Sequence, residues 1–331
     1  MSEHINSVQS EVSPAEIREP QVAPETQRAV ATAAPTQVAV QDCGTNDVAA
    51  CATNVPASYV YAIGRLRPAF PSASVEQEFY QAVTRPAQSD GAGHVPDDAL
   101  AYSILSLGQN LYIAREICWV LQIDGADQVG FVDAYVVLPR TYVELYDMVL
   151  TLEPISGQKR YDVIIGPRGP IATPEMCAGL QLPTILCNQI YSFTFDQFVQ
   201  QMLNALNPPS NISRDVISSM FKEMLNVADN AGETDEHRAI NYVALRYPQV
   251  YRMADDMLNV NGGGVRPGES YTFTGIEAKP ASVQGVRKIV DVIFRYRSRS
   301  TGEIVYSFCG VDVTGQFPFL VRPMSRYYPH P

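Results

Sequence analysis

The stretch Ala228-Asp-Asn-Ala-Gly-Glu-Thr-Asp-Glu-His-Arg-Ala-Ile-Asn241 separates two runs of residues with helical periodicity. Apolar residues recur at three- and four-residue steps over Val216–Leu225 and again over Ile240–Leu258. Thr234 is a natural N-cap for the second run, because its hydroxyl can accept a hydrogen bond from a free amide of the first turn. The sequence therefore predicts two amphipathic helices that meet at a polar segment.

The polar segment supports two interpretations. Helical spacing places Asp235, Arg238 and Asn241 on one face of the second predicted helix. This face is either a surface for recognition of a ligand or partner, or a helix cap with salt bridges, which is the common role of charged residues at helix ends. The first interpretation predicts that Arg238→Ala costs binding and leaves the fold intact, and the second predicts that it unfolds the protein.

Composition excludes several classes of function. The chain has 331 residues, of which 46% are hydrophobic and 18% charged, and its net charge of −11 argues against a nucleic-acid partner. No apolar run approaches the ~20 residues that cross a bilayer, and Met1–Ile5 lacks the features of a signal peptide. The six cysteines form no CxxC pair. These features predict a cytoplasmic protein that makes no membrane contact.

Changes of pattern divide the chain into three parts. Residues 1–57 are rich in Ala, Pro, Gln, Val and Glu and lack periodicity, which predicts a disordered tail that is dispensable for folding. Residues 58–157 predict an N-terminal α+β subdomain, and residues 158–331 a C-terminal α+β subdomain that ends in a β-meander. Strands and helices occur in separate runs, which is typical of an α+β fold with antiparallel or mixed sheets and packed helices. The predicted meander strands are Tyr271–Ile276, Lys288–Tyr296 and Ile304–Val313.

The sequence contains no familiar catalytic motif: HExxH, GxSxG and GxGxxG after a strand are all missing. Three of the four histidines lie in the tail, in a predicted loop or at the penultimate position, so a nucleophile would depend on His237. Cys177 lies in a predicted loop and can form a dyad with His237 or share a zinc ion with it. No third ligand is evident, so a buried structural cysteine is the alternative. We assign no catalytic residue and expect no cofactor, with zinc as the one candidate.

Basic residues gather on one predicted hairpin of this acidic chain: Arg287, Lys288, Arg295, Arg297 and Arg299. One interpretation is a charged edge strand that prevents pairing with other sheets. The functional interpretation is a docking strip for an acidic peptide, which would add to the sheet as an extra strand.

Aromatic residues and prolines follow this hairpin. Phe317–Leu320 and Tyr327–Tyr328, together with the arginines, have the composition of an interface core. Pro318, Pro323 and Pro329 keep the segment extended, which favours contact with a neighbouring subunit over extension of its own sheet. We therefore expect a homodimer with two-fold symmetry.

Five stretches of the chain together carry a family resemblance. In order, they are Tyr59–Pro68 with Val75–Phe79, Gly166–Ala172 with Pro174–Cys177, Asp229–Ala239, Lys288–Phe294, and Val311–Thr314 with Phe317–Leu320. On these stretches the chain resembles, from about Ser58 to Tyr328, the C-terminal domain of unknown function of cyanobactin maturation proteases of the PatG and PatA type. The resemblance implies a role in the maturation of ribosomally made peptides. The subtilisin-like catalytic domain of these proteases is not in this chain, so the resemblance does not carry over protease activity.

Three functions follow as hypotheses. The first is an accessory module that binds a precursor peptide or a maturation enzyme without catalysis. The second is a peptide-modifying enzyme that uses the segment from Asp229 to Asn241, which a deep pocket joining Glu175, Asp229 and His237 would favour. The third is a purely structural or oligomerisation domain. The residues predicted to contribute to binding are Arg168, Glu175, Asp229, Asn230, Glu233, Asp235, His237, Arg238, Asn241, Arg295 and Arg297.

Overall fold

A computed structural model of the chain describes residues 58–82, 96–124, 130–155, 159–206, 212–227, 230–259, 268–281 and 286–328. The predicted tail at 1–57 and the predicted binding residue Asp229 lie outside these ranges. Within the described part of the chain, no helix is long and apolar enough to cross a membrane. The fold is α+β, as the sequence predicts, with one mixed and one antiparallel sheet.

The first sheet has six strands, paired in the order β1-β2-β3-β5-β4-β6, and β1 also pairs with β4. Only β3 and β5 run parallel to each other. The sheet takes strands from both sides of the subdomain boundary predicted near residue 157, so it continues across that position. The strands are β1 (Tyr59–Ala69), β2 (Cys118–Asp124), β3 (Phe131–Pro139), β4 (Arg160–Ile171), β5 (Pro183–Cys187) and β6 (Gln189–Thr194).

Strand β1 exchanges partners along its length, pairing with β4 up to Gly64 and with β2 from Arg65 onwards. The buried carboxylate of Asp162 lies at this exchange, where it accepts hydrogen bonds from the Leu66 amide at 2.7 Å and from Ser192 Oγ at 2.6 Å. Burial raises the pKa of Asp162, although the neighbouring Arg160 and Ser192 lower it in part. Asp162 therefore holds the region where the three strands meet.

The helices form two groups around this sheet. The first group packs around a core that includes Phe79, Ile104, Trp119 and Leu145. The second group packs in a larger core that also contains residues of both sheets, such as Ile63 and Phe294. The first group is α1 (Ala73–Gln81), α2 (Asp98–Leu105), α3 (Leu111–Glu116) and α4 (Tyr142–Leu150), and the second is α5 (Phe195–Ala205), α6 (Arg214–Leu225), α7 (Asp235–Arg246) and α8 (Gln249–Leu258).

Thr234 is the N-cap of α7, as predicted: its Oγ1 accepts a hydrogen bond from the His237 amide at 3.1 Å. The two helices predicted around the polar segment are α6 and the pair α7 and α8, which are separated at Pro248. Helix α7 contacts β1 of the first sheet and three strands of the second. The polar segment at its start therefore lies between the two sheets.

The second sheet is the predicted meander, with one strand more than expected. Its four strands are antiparallel in the order β10-β9-β8-β7. The basic hairpin strand β8 pairs on both sides, so its prediction as an edge strand that accepts an added peptide strand is wrong. The strands are β7 (Tyr271–Pro280), β8 (Ile289–Ser298), β9 (Ile304–Asp312) and β10 (Phe319–Tyr327).

The proline-containing C-terminal segment extends its own sheet as β10, which corrects the prediction that it lies across a neighbouring subunit. Pro323 has no amide to donate, and the pairing with β9 shifts register between Arg322 and Ser325. Two tyrosine hydroxyls on or just after α7 satisfy amides of this strand: Leu320 donates to Tyr242 at 3.2 Å and Met324 to Tyr247 at 2.7 Å. The homodimer stays a prediction.

Candidate functional site

The polar segment before α7 forms a buried network. Asn241 Nδ2 donates to the Tyr61 carbonyl at 2.7 Å, and its Oδ1 accepts from Asn230 Nδ2 at 2.8 Å. Asn230 Nδ2 also donates to the Met224 carbonyl at 3.2 Å, and the Tyr61 amide donates to the Gly232 carbonyl at 2.9 Å. Both asparagines are buried. The network joins the end of α6, the start of α7 and strand β1.

The backbone conformation and the close packing at position 232 both favour glycine. The φ of Gly232 is +74°, a conformation that favours glycine, and a Cβ at this position would collide with the backbone of Tyr61. A glycine therefore permits the close contact that the asparagine network spans.

Arg238 is the second connection from α7, and it is only 3% exposed. Its Nη1 donates to the Val313 carbonyl at 2.8 Å, and its Nη2 donates to the carbonyls of Gly315 and Gln316. Burial lowers the pKa of Arg238, and Asp235, at 3.3 Å, offsets this in part. The guanidinium thus ties α7 to the loop after β9.

Asp235, Arg238 and Asn241 therefore do not form the exposed recognition surface that the first interpretation predicts. Arg238 and Asn241 face the interior, because their partners are backbone groups that the fold brings to α7 from distant parts of the chain. Asp235 is partly exposed and also pairs with Lys288 at 2.9 Å. His237 is partly buried on the first turn of α7. A binding role for these residues stays a prediction.

Arg168 and Glu233 meet at the surface. Arg168 Nε lies 3.2 Å from Glu233 Oε2, with the two side chains 43% and 38% exposed. The Tyr135 hydroxyl donates to the Ala231 carbonyl at 3.0 Å and lies 3.5 Å from Glu233 Oε2. Burial and the nearby Glu233 carboxylate raise the pKa of Tyr135. The structure thus brings together two predicted binding residues and a tyrosine that the sequence analysis did not identify.

Glu175 and Cys177 lie elsewhere. Cys177 forms a disulfide with Cys118 at the start of β2, with the two Cα atoms 5.3 Å apart. In this form Cys177 has no thiolate to act as a nucleophile or a zinc ligand, so the proposed partnership with His237 is not formed. Glu175 lines a cavity of about 340 Å³ beside the disulfide, whose described lining includes no residue of α7.

Cys118, Cys187 and Cys309 all lie in apolar runs, a pattern that predicts small buried cysteines. Cys187 and Cys309 are free and buried, whereas Cys118 is buried but bonded to Cys177. Within the described ranges, no group of three or more His, Cys, Asp or Glu side chains is arranged as a metal site. Zinc stays an untested candidate.

Arg295 and Arg297 lie on the face of the second sheet that points away from the core. Both are exposed, and among the described residues neither makes an ion pair. Arg295 donates to Thr274 Oγ1 at 3.1 Å and to the Thr274 carbonyl at 3.2 Å. The register places Arg295 opposite Tyr306 and Arg297 opposite Ile304 on β9.

Aromatic residues continue this surface. The Tyr327 ring packs against Phe308 at 5.5 Å and Tyr306 at 6.2 Å between ring centroids. Arg322 lies over the Phe308 ring at 5.5 Å and pairs with Asp291 at 2.6 Å. We call this surface the outer face and define it by Arg295, Arg297, Ile304, Tyr306, Phe308 and Tyr327.

The residues of the outer face that lie on β9 were not predicted as binding residues, whereas Tyr327 was predicted as part of an interface. Ile304, Tyr306 and Phe308 alternate with residues of the inner face in β9, a two-residue period that would have placed them beside the arginines of β8.

Comparison with known proteins gives two family matches. The model described as "PatG Domain" matches residues 59–257, and the model described as "PatG C-terminal" matches residues 208–327. A solved structure, "PatG Domain of Unknown Function", is similar with a TM-score of 0.57 and 17% identity, covering 82% of this chain and 99% of that chain. At 17% identity, the similarity to this solved structure supports the fold alone. No curated protein matches the chain.

Proposed function

Because this chain belongs to the PatG family of cyanobactin-type biosynthesis proteins, we propose that it is a non-catalytic accessory module. In this proposal it binds an acidic segment of a precursor peptide on the outer face of its second sheet. The observation that carries the proposal is the exposed arginine pair, Arg295 and Arg297, beside the aromatic cluster of β9 and β10.

Charge supports an acidic ligand. The chain as a whole has a net charge of −11, which repels an acidic peptide, so the attraction has to come from a local group of cations. Arg295 and Arg297 provide two guanidinium groups that pair with no carboxylate among the described residues, and a guanidinium forms bidentate contacts with a carboxylate. Arginine and tyrosine are also the residues that most often dominate binding energy at interfaces.

The pairing of β8 on both sides changes the mode of binding from the one that the sequence predicts. A peptide cannot add as a strand beside Arg295, because β7 and β9 already occupy both edges of β8. The peptide instead lies across the sheet, where its carboxylates meet the arginines and its apolar side chains meet Tyr306, Phe308 and Tyr327.

The buried network supports binding without catalysis. The side chains of Asn230, Arg238 and Asn241 direct their hydrogen bonds to backbone carbonyls, to one another or, for Arg238, also to Asp235. These three residues belong to the segment that the second hypothesis uses for catalysis, and in the fold they connect helices and strands.

The test uses the full chain and a fluorescein-labelled peptide, Gly-Glu-Phe-Asp-Glu-Leu-Asp, with fluorescence anisotropy as the measurement. We expect R295A/R297A to weaken binding by about tenfold or more, since two charge-assisted contacts are lost. The matched control R115A/R140A removes the same charge from exposed arginines of the first sheet and its helices, and it should change the affinity less than about twofold.

Two outcomes would contradict the proposal. One is equal weakening by both double variants, which would indicate attraction by overall charge alone. The other is equal affinity for the labelled peptide with Gln and Asn in place of Glu and Asp. If a purified maturation enzyme binds through Arg295 and Arg297 while the peptide does not, the surface is a docking site for an enzyme and the peptide proposal fails.

A further inference from the structure

A groove runs between the start of β4, the start of α5 and one face of α6. It contains a hollow of about 310 Å³ lined by Lys159, Tyr161, Phe195, Arg214, Phe221 and Lys222, among others. We call it the α6 groove. It is separate from the outer face and contains no residue that the sequence analysis identified as a binding residue.

Three cations surround the hollow. Arg214 and Lys222 are eight residues apart on α6, so they lie on the same side of the helix two turns apart. Arg214 pairs with Asp196 and lies over the Phe195 ring at 5.3 Å. Lys222 is exposed and makes no ion pair among the described residues. Lys159 likewise pairs with a carboxylate, so three cations meet two carboxylates, and Lys222 provides the net positive charge that favours an anionic ligand.

Lys159 is the best-positioned of these cations. Its Nζ lies 2.7 Å from Asp124 Oδ2. The same atom lies over two aromatic rings, 5.0 Å from the Phe131 centroid and 5.1 Å from the Tyr161 centroid. Burial alone would lower the pKa of Lys159, but Asp124 and Tyr161 raise it overall. The ammonium group is therefore held charged at a fixed place in the groove.

Aromatic rings form the floor. Tyr161 meets Phe221 at 5.2 Å and Phe195 meets Phe221 at 6.0 Å between centroids. Tyr161 and Phe221 belong to the large core and are 4% and 0% exposed. Phe195 packs against that core and is partly exposed, so it is the ring of the floor that a ligand reaches. A ligand that combines a carboxylate with apolar groups would satisfy both the cations and the floor.

The groove continues beyond Lys159 into a second hollow of about 310 Å³. Apolar residues such as Phe131, Leu152 and Ile155 line this hollow together with both cations and carboxylates, so it suits the apolar side chain of a ligand better than the acidic one. Both hollows are open to solvent and share Lys159 as a wall. Two hollows in series fit an extended chain better than one compact small molecule.

We infer that the α6 groove is a peptide-binding site, and that it takes an extended segment with a carboxylate side chain flanked by apolar side chains. The carboxylate lies between Lys159 and Lys222, and the apolar neighbours rest on the aromatic floor and in the second hollow. This site is independent of the proposed outer-face function, because it uses other residues on other elements.

The test measures the anisotropy of a fluorescein-labelled, C-terminally amidated peptide, Leu-Phe-Glu-Phe-Leu, in which the Glu side chain is the only carboxylate outside the label, and the Gln peptide carries the same label. Lys222→Glu is the main variant, because Lys222 makes no described contact that its replacement would break. We expect it to weaken binding by about tenfold, since it replaces attraction by repulsion in a partly enclosed site. Arg115→Glu has the same change of charge on α3, outside the groove, and should leave the affinity within about twofold.

Three results would overturn the inference. They are unchanged affinity in the Lys222→Glu variant, equal affinity for the peptide with Gln in place of Glu, and no measurable binding to the wild-type chain. If R295A/R297A weakens binding of this peptide and Lys222→Glu does not, the peptide occupies the outer face. That result would reject the groove and support the proposed function, so the two proposals fail separately.

Discussion

Arg238 on α7 and the pair Arg295 and Arg297 on β8 carry the same side chain in opposite surroundings. Arg238 is 3% exposed and donates to three backbone carbonyls in the loop after β9. Arg295 and Arg297 are exposed on the outer face and pair with no carboxylate among the described residues. The first guanidinium holds two parts of the fold together, and the other two are available to a partner.

This difference shows that polar composition alone does not identify a binding site. Both regions combine arginine with neighbouring hydrogen-bonding groups. Removing one partner from a buried charged network costs several kcal/mol, whereas an exposed charge contributes about 1 kcal/mol or less. Stability measurements therefore separate the two regions before any ligand is known.

The largest expected effect is that of Arg238→Ala. It leaves three carbonyls without their donor and removes one of the two described cations that pair with Asp235, so we expect the free energy of unfolding to fall by about 3–5 kcal/mol. Urea denaturation measures this change, with Arg295→Ala as the matched control at less than about 1 kcal/mol. Similar losses for both variants would remove the distinction between the two arginines.

The Cys118–Cys177 disulfide is expected to have the next largest effect. It joins β2 to the turn at 174–179 across 59 residues, beside a small cluster of six buried residues. Its loss in C118S/C177S should lower the free energy of unfolding by about 2–4 kcal/mol. Mass spectrometry of the alkylated, unreduced protein must also show these two thiols to be protected. Full alkylation of both would show that the bond is not formed.

Asn241→Ala removes one donor to β1 and leaves the Tyr61 carbonyl and Asn230 short of a partner. We expect a loss of about 2 kcal/mol in unfolding free energy, within the usual cost of an unsatisfied buried polar group. Binding of the acidic peptide by the folded variant should equal that of the wild type. A variant of normal stability with impaired binding would restore Asn241 as a recognition residue.

Asp312 gives the smallest effect, and it depends on pH. Burial alone would raise its pKa, but hydrogen bonds from Thr314 and the ion pair with Arg287 at 2.6 Å lower it overall. A lowered pKa contributes stability above the unfolded value of about 4, and this contribution is lost as the pH falls through the folded pKa. Asp312→Asn should therefore lower the melting temperature slightly at pH 7, and this effect should shrink as the pH falls below about 4. An effect that grows as the pH falls would contradict this assignment.

The sequence predicted what depends on local pattern. The alternation of apolar residues gave the meander, and the helical periodicity with Thr234 gave α6, α7 and the N-cap. Exposure depends on partners that local pattern does not reveal: the carbonyls that bind Arg238 are 75 to 78 residues away, and the one that binds Asn241 is 180 residues away.

The cysteines show the same limit. Spacing does not determine which cysteines pair, and Cys118 lies in an apolar run that is equally typical of a free buried cysteine. The position of β10 in the sheet could not be predicted from the sequence either. Its pairing with β9 is interrupted near Pro323, and two of its amides donate to the hydroxyls of Tyr242 and Tyr247 on a distant part of the chain. Arg295 and Arg297 are exposed, but their strand is an inner strand of the sheet and not the sheet edge that the sequence predicts. Their role in binding stays a prediction.

The most direct test of the outer face is a charge exchange. The affinity of R295E/R297E is measured by anisotropy for the acidic peptide and for a counterpart in which Lys replaces every Asp and Glu. We predict that the variant loses about tenfold or more in affinity for the acidic peptide and gains affinity for the basic one, with a melting temperature close to that of the wild type. Wild-type affinity of the variant for the acidic peptide would contradict the assignment of Arg295 and Arg297 as the binding pair.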